Sequence, residues 1–402
     1  MPATQSVEKS WLLRDRALRS IPLATQTHSK AARESLRDIE PCYIIRGDGC
    51  RVWDVDDNEY IDFRSGLGPI TLGYRFPAVD DAVRRQLDDG IIFSYPHPIE
   101  VEVAERLVRL IPCAESVRFL KTGGEAMAAA HRLARAFTGR DLLLTCGYHG
   151  WVNRMSGPGV PEIIQGTYRG LPWGDASPYE AAFREAPGEI AAVSVACSYA
   201  DIDKGHGFLA DLRDLTERHG ALLIFDEIVT GFRLALGGAG EYFGVTPDLA
   251  VFAKGISNGV PLSCYVGRAD VMARVADVNI SSTFGGDTLG LATARAALDT
   301  YEREDVIETL WARGKQLMDG VNAHSARLGI AVRLEGLPPM PELTLPGGGA
   351  LRTRLEGELL KRGVMIYTVC YPSFSHGEAD VAEAVAAIGD ALDSMAAQGM
   401  FT

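Results

Sequence analysis

From residue 116 the chain keeps one rhythm: a short apolar run, then a helical stretch, then another apolar run. The runs are SVRFL (116–120), DLLLTC (141–146), IAAVSVAC (190–197), ALLIFDE (221–227), DLAVFAK (248–254) and LSCYVG (262–267). Between the first two lies EAMAAAHRLARAFTG (125–139), with helical spacing. Runs this short and this apolar fit strands buried on both faces. Strands that alternate with helices make a mostly parallel sheet covered on both sides, so the chain belongs to the α/β class. Ligands in such sheets bind at the carboxyl ends of the strands.

The flanks read differently. Residues 1–40 are polar and helical in spacing. YIIRGDGCRVWDVDDNEYIDF (43–63) alternates around a Gly-Asp-Gly turn, as a meander of short antiparallel strands would. AVDDAVRRQLDDGI and IEVEVAERLVRLIPCAE have helical spacing. From about 290 the chain turns helical again, passes a Pro/Gly-rich stretch at 336–349, and ends in a strand GVMIYTV and a helix EADVAEAVAAIGDALDSMAAQ. We expect an N-terminal segment, 1–65, that joins a small α+β domain formed by 290–402, with the large sheet domain at 66–289.

With 402 residues, 47% of them hydrophobic, the chain can build two cores. A net charge of −13 and no basic run argue against nucleic acid as a partner. Seven cysteines at scattered positions, with no C-x-x-C pair, fit reduced thiols in a cytoplasmic protein and no zinc site. No window approaches a membrane helix, and WLL at 11–13 is too short for a signal peptide.

Seven lysines stand against 33 arginines, and six of the seven lie among polar or turn-forming residues. Lys254 instead follows five apolar residues, 249–253. A lysine at a strand end is most often a surface group whose stem packs and whose head reaches water. In an apolar site it loses basicity and becomes a nucleophile toward carbonyls. Asp226 ends ALLIFDE in the same way, 28 residues earlier. That gap holds one crossover and one strand, so both groups fall at one edge of the sheet. A carboxylate there is either the polar end of a strand or a ligand. Pyridoxal 5′-phosphate uses this pair: a lysine for its carbonyl and an aspartate for its ring nitrogen. LKTGGEAM (120–127) runs from a strand through glycines into a helix, which suits a phosphate, although glycine is common in such turns. CGYHGW (146–151) puts an aromatic at a strand end, and SSTFGGD (281–287) mixes hydroxyls with glycines.

Over nearly its whole length the sequence resembles the class III, subgroup II aminotransferases of the type I pyridoxal-phosphate fold. The nearest likeness is to glutamate-1-semialdehyde aminomutase and its relatives. The likeness rests on VWDVDDNEYIDFRSGLGPITLGYRFPAV (52–79), TGGEAMAAAHRLARAFTGR (122–140), GYHGW, LIFDEIVTGFR (223–233), FGVTPDLAVFAKGISNGVPLSCYVG (243–267), STFGGD and SHGEADVAEAV (375–385). It implies a large, mostly parallel seven-stranded sheet domain beside a smaller α+β domain. It makes Lys254 the Schiff-base lysine and proton shuttle, and Asp226 the partner of the ring nitrogen. Ile228 would press one face of the ring and Tyr148 the other. Gly123 and Gly124 would cradle the phosphate. Thr283 would reach the phosphate of a neighbouring subunit, so the resemblance implies a homodimer with active sites at the interface. Leu67, Pro69 and Glu125 would border the substrate pocket.

The sequence departs from the family pattern in three places. Gly124 stands where a phosphate-binding hydroxyl is usual, Ala196-Cys197-Ser198 replaces a common Glu-Pro, and Leu67 replaces the aminomutase's tryptophan. The expected reaction is transfer of an amino group from a small-molecule donor, L-glutamate, to an aldehyde or ketone acceptor, sugar-like or from specialised metabolism. An aminomutase, racemase, epimerase or decarboxylase would need the same lysine and aspartate. A non-catalytic binding module is opposed by the presence of both. Arg64, Arg75 and Arg233 are the candidates for a donor carboxylate, since a guanidinium matches its fork.

Overall fold

The computed structural model describes residues 6–401, which fall into two units. The larger comprises Gly68–Thr71 and Pro77–Glu308; the smaller comprises the described part of Met1–Leu67 with Leu72–Phe76 and Thr309–Thr402.

The larger unit is built on a seven-stranded sheet. Its order is Ser116–Leu120, Ser263–Gly267, Leu249–Phe252, Leu222–Asp226, Ile190–Ala196, Leu142–Cys146 and Tyr168–Gly170. Ser263–Gly267 runs antiparallel to both neighbours, and all other adjacent pairs are parallel. Leu222–Asp226 and Leu249–Phe252 are buried at every position, as strands covered on both faces must be. The helix Gly123–Thr138 lays Met127, Ala130, Leu133 and Ala134 against Leu143, Ile224, Val251 and Tyr265 of the sheet. It stops at Gly139, whose left-handed φ of 69° closes the last turn.

The helix Thr288–Arg303 belongs to this unit, although the small domain was expected to begin at 290. Local contacts explain the difference. The Thr288 hydroxyl donates to the carbonyls of Gly90 at 2.9 Å and Ile91 at 3.0 Å, and Arg106 pairs with Asp299 and Glu302. The boundary falls instead between Glu308 and Thr309, inside the helix Val306–Leu328.

In the smaller unit the meander forms as expected: Ile44–Asp48, Arg51–Asp54 and Glu59–Asp62 pair antiparallel in sequence. Val364–Met365 joins Glu59–Asp62 in parallel. This last strand is shorter than GVMIYTV suggests, because the backbone beyond Met365 pairs elsewhere. Thr368 accepts from Leu343 N–H at 2.8 Å, and Cys370 donates to Pro341 at 2.9 Å. Of the described residues up to 40, only Glu8–Ala17 form an α-helix; Pro22 and short 3-10 turns follow. The helix Gly349–Leu360 follows the Pro/Gly-rich stretch, and Leu355 and Leu359 join the unit's core beside Leu317, Val321 and Leu392. Among the described residues, no helix is long and apolar enough to cross a membrane, and no group of His, Cys, Asp and Glu is arranged to hold a metal.

Candidate active site

The strand Leu222–Asp226 delivers Asp226 to the carboxyl edge of the large sheet, and the adjacent strand Leu249–Phe252 ends two residues before Lys254. Asp226 lies in register with Val251, so the parallel pairing brings the two side chains to one place. Both border a cavity of about 400 Å³, which sits where a sheet of this kind binds its ligands. Lys254 takes a left-handed φ of 49°, a conformation ordinary residues avoid, and opens the 3-10 turn Lys254–Ser257. Burial lowers its amine to about 8, the Asp226 carboxylate opposes that shift, and Arg233 adds to it. A fraction of the amine is therefore uncharged near neutral pH.

Asp226 is buried and its two oxygens are held separately. Oδ1 accepts Ile228 N–H at 3.1 Å, and Oδ2 meets Nδ1 of the buried His149 at 2.8 Å. An ionised carboxylate only accepts, so His149 donates from Nδ1.

Gly123 and Gly124 open the helix Gly123–Thr138 and line the cavity with their backbone. Thr122 caps the helix by accepting Glu125 N–H at 3.3 Å. Space here is reserved for glycine. A Cβ at Gly123 would meet Ile228 Cδ1 at 2.5 Å, and one at Gly150 would meet Gly124 Cα at 2.7 Å. The first-turn N–H groups thus lie close to the cavity, with the positive end of the helix behind them.

Of the residues singled out in the sequence, the cavity gathers Lys254, Asp226, Ile228, Gly123, Gly124, Tyr148 and Pro69. Tyr148 is 67% exposed, so its ring face is free to meet a planar ligand. Others are held elsewhere. Glu125 accepts Lys121 N–H at 3.0 Å through its carboxylate. Thr283 lies exposed in the 281–287 loop. Leu67 belongs to the smaller unit, with φ 77°. In that unit Arg64 donates to the Ser29 carbonyl and lies over the Tyr367 ring, while exposed Arg75 pairs with Asp48 at 3.5 Å. Arg233 is fully buried in the larger unit and donates to Gly68 O at 3.2 Å.

The cavity also takes in Lys121 and Tyr199, which sequence reasoning passed over, with Cys197 of the Ala196-Cys197-Ser198 departure, while His149, also passed over, stands behind Asp226. Burial lowers the Lys121 amine to about 8, and it pairs with Asp287, the N-cap of Thr288–Arg303. His149 was adjacent to the aromatic that drew attention in CGYHGW; only the fold shows which side chain faces Asp226.

Glu227, next to Asp226, faces the other way. Burial raises its carboxyl to about 7, against the Thr230 hydroxyl and the N–H groups of Ala239 at 2.7 Å and Gly240 at 2.8 Å.

Known proteins resemble this chain in sequence and in fold. The family model for aminotransferase class-III matches residues 33–157 and 179–391. The chain is 34% identical to a glutamate-1-semialdehyde 2,1-aminomutase from Syntrophobacter fumaroxidans, over 96% of this chain and 97% of that one. It is also 34% identical to a 3-aminobutyryl-CoA aminotransferase from Cloacimonas acidaminovorans, over 88% and 89% of the two chains. Among solved structures, the FumI protein of Sphingopyxis sp. MTA144 in its PLP internal-aldimine form superposes with a TM-score of 0.90 at 28% identity, covering 98% of both chains. A β-phenylalanine aminotransferase from Variovorax paradoxus gives 0.89 at 27% identity, covering 98% and 96%.

Proposed function

The chain belongs to the class-III aminotransferases, enzymes whose cofactor is pyridoxal 5′-phosphate, and on that premise we propose that it moves an amino group from L-glutamate to an aldehyde or ketone acceptor. The observation that carries the reading is the meeting of Lys254 and Asp226 at the sheet's carboxyl edge, with the lysine amine brought to about 8.

The residues present suit the cofactor. The cavity, at about 400 Å³, is in the range of small-molecule sites. The glycine-floored helix start would hold the phosphate, and Asp226, braced from two sides, would hold the ring nitrogen. When bound, pyridoxal 5′-phosphate supplies a carbonyl that captures amines and a ring that takes up the electron pair left when a substrate carbon loses its proton.

Lys254 would hold the cofactor through Nζ. Once freed by the donor amine, its partly uncharged Nζ would take the proton from the donor's α-carbon and pass it to the cofactor's C4′, and in the second half of the exchange it would move a proton the opposite way. Asp226 would pair with the ring nitrogen and favour its protonated form. Ile228 and Tyr148 would restrain the ring from opposite faces, and the Gly123–Gly124 turn would bind the phosphate. Pro69, which borders the cavity, stays assigned to the substrate side.

A second reading, an amino shift within one substrate, is favoured by the identity to an aminomutase. A strict need for a separate donor decides for transamination; turnover of one substrate alone decides for the shift.

The working form in this reading is a homodimer. Ile92, Phe93, Tyr95, Trp151 and Phe284 are large apolar side chains left exposed on the larger unit, and Thr283 lies beside Phe284. A second copy would cover them and bring Thr283 to the partner's phosphate. Seven unpaired thiols suit the cytoplasm.

The test is the visible spectrum of the protein with pyridoxal 5′-phosphate, before and after L-glutamate. The expected result is a band in the visible that disappears on adding glutamate and is absent from Lys254→Ala. A wild-type protein that takes up no cofactor would remove the reading.

A further inference from the structure

Behind Asp226 lies a row of buried polar groups that packing alone does not require. His131 sits on the buried face of the helix Gly123–Thr138, in line with Met127, Ala130 and Ala134. An apolar side chain would suit that layer better. Its partner, Ser194, stands in the middle of the fully buried stretch Ile190–Val195, and the Ser194 hydroxyl lies 3.0 Å from His131 Nε2. His131 in turn meets His149 edge to face, with ring centroids 6.0 Å apart and planes at 88°. His149 closes the row on Asp226 Oδ2 at 2.8 Å. Strand, helix, loop and strand thus contribute one residue each.

We propose that His131, anchored by Ser194, is a positioning residue that fixes the His149 ring and thereby sets how firmly Asp226 keeps the cofactor's ring nitrogen protonated. The inference rests on the cofactor site described under the proposed function. An imidazole can turn about its Cβ–Cγ bond and exchange Nδ1 for a carbon; Asp226 would then lose a donor. His131 packs edge to face on the His149 ring and so restrains it from turning, and is itself held twice, by Ser194 and by the Tyr168 ring at 5.9 Å.

The charges are consistent with this role. Burial pushes the His131 imidazole well below its usual range, and His149 and Arg135, one turn along the same helix, act in the same direction; Asn153 opposes them. His131 is therefore uncharged and does not compete for Asp226. Asn153 also ties the loop, donating to His149 O at 2.7 Å and Gly124 O at 2.8 Å. Nε2 of His149 meets no acceptor among the described residues, so the ring's one hydrogen bond to a side chain is the contact of Nδ1 with Asp226 Oδ2.

The test uses the holoenzyme reconstituted with pyridoxal 5′-phosphate labelled with ¹⁵N in the ring. The ring-nitrogen chemical shift and the cofactor dissociation constant are compared in the parent, His131→Leu, Ser194→Ala and His131→Gln, with the melting temperature of each. Leucine should move the shift toward the unprotonated value and weaken cofactor binding roughly tenfold, the scale of one lost hydrogen bond to a charged group. Ser194→Ala should do the same to a smaller degree. Glutamine, whose amide nitrogen stands near the place of Nε2, should restore much of the parent behaviour. A merely structural histidine would change the melting temperature and leave the shift alone. The inference is overturned if His131→Leu, or Ser194→Ala should the first not fold, keeps the parent's shift and dissociation constant. A parent that binds no cofactor overturns the underlying reading instead.

Discussion

Two lysines reach one cavity from different parts of the sheet, and burial brings both amines to about 8. Their surroundings separate them. Lys121 follows the edge strand Ser116–Leu120 and pairs with Asp287, which in turn accepts Gly290 N–H at 3.1 Å to cap a helix. Its charge ties the edge strand to a helix end. Lys254 follows an interior strand and feels Asp226 across the cavity, while Asp226 spends its oxygens on Ile228 and His149. A lowered basicity alone therefore does not mark the reactive amine; an amine that can leave its carboxylate does.

The largest expected effect tests that contrast directly. Lys254→Ala should lower turnover at least 10³-fold, on the scale of a lost general acid–base group, with little change in melting temperature. Lys121→Met should do the reverse. It strands a mostly buried carboxylate, so unfolding free energy should drop by about 2 kcal/mol while kcat falls less than tenfold. Chemical denaturation with steady-state kinetics on both variants checks the pair, and equal losses of turnover would erase the distinction.

The pH dependence sharpens it further. Unfolded lysine titrates near 10.4, so between about 8 and about 10.4 the folded, cofactor-free protein holds fewer protons than the unfolded chain. Stability should rise with pH across that window, and Lys254→Met should flatten the rise. Glu227 gives the opposite and smaller slope. Its carboxyl is raised to about 7 against about 4.3 unfolded, so its contribution is full below about 4.3 and fades as pH climbs to about 7. Denaturation midpoints from pH 4 to 7 should decline less in Glu227→Gln than in the parent.

The contrast also explains what could be read from the sequence. Lys254, Asp226, Ile228, Gly123, Gly124 and Tyr148 lie at strand ends or turns, where the break in apolar rhythm shows along the chain, and the fold gathers them at one cavity. Lys121 with Asp287, and His131 with Ser194, are pairs separated by 166 and 63 residues. Neither member looks unusual beside its own neighbours. The large sheet was legible because burial on both faces leaves short, unbroken apolar runs. The helix Gly349–Leu360 was hidden behind glycines, and the strand at Val364–Met365 was overcalled because backbone pairing with Pro341 and Leu343 takes over after two residues.

The backbone at Lys254 bends to the left, where glycine and asparagine rest easily and lysine does not. A conformation of that kind costs of order 1–3 kcal/mol. Selection for durability alone would therefore favour glycine or asparagine at this position and yield a hardier, inert protein. A laboratory programme that ranks variants of this chain by heat resistance should assay amino transfer at every round, since its most tempting gain lies at the residue proposed to carry the chemistry.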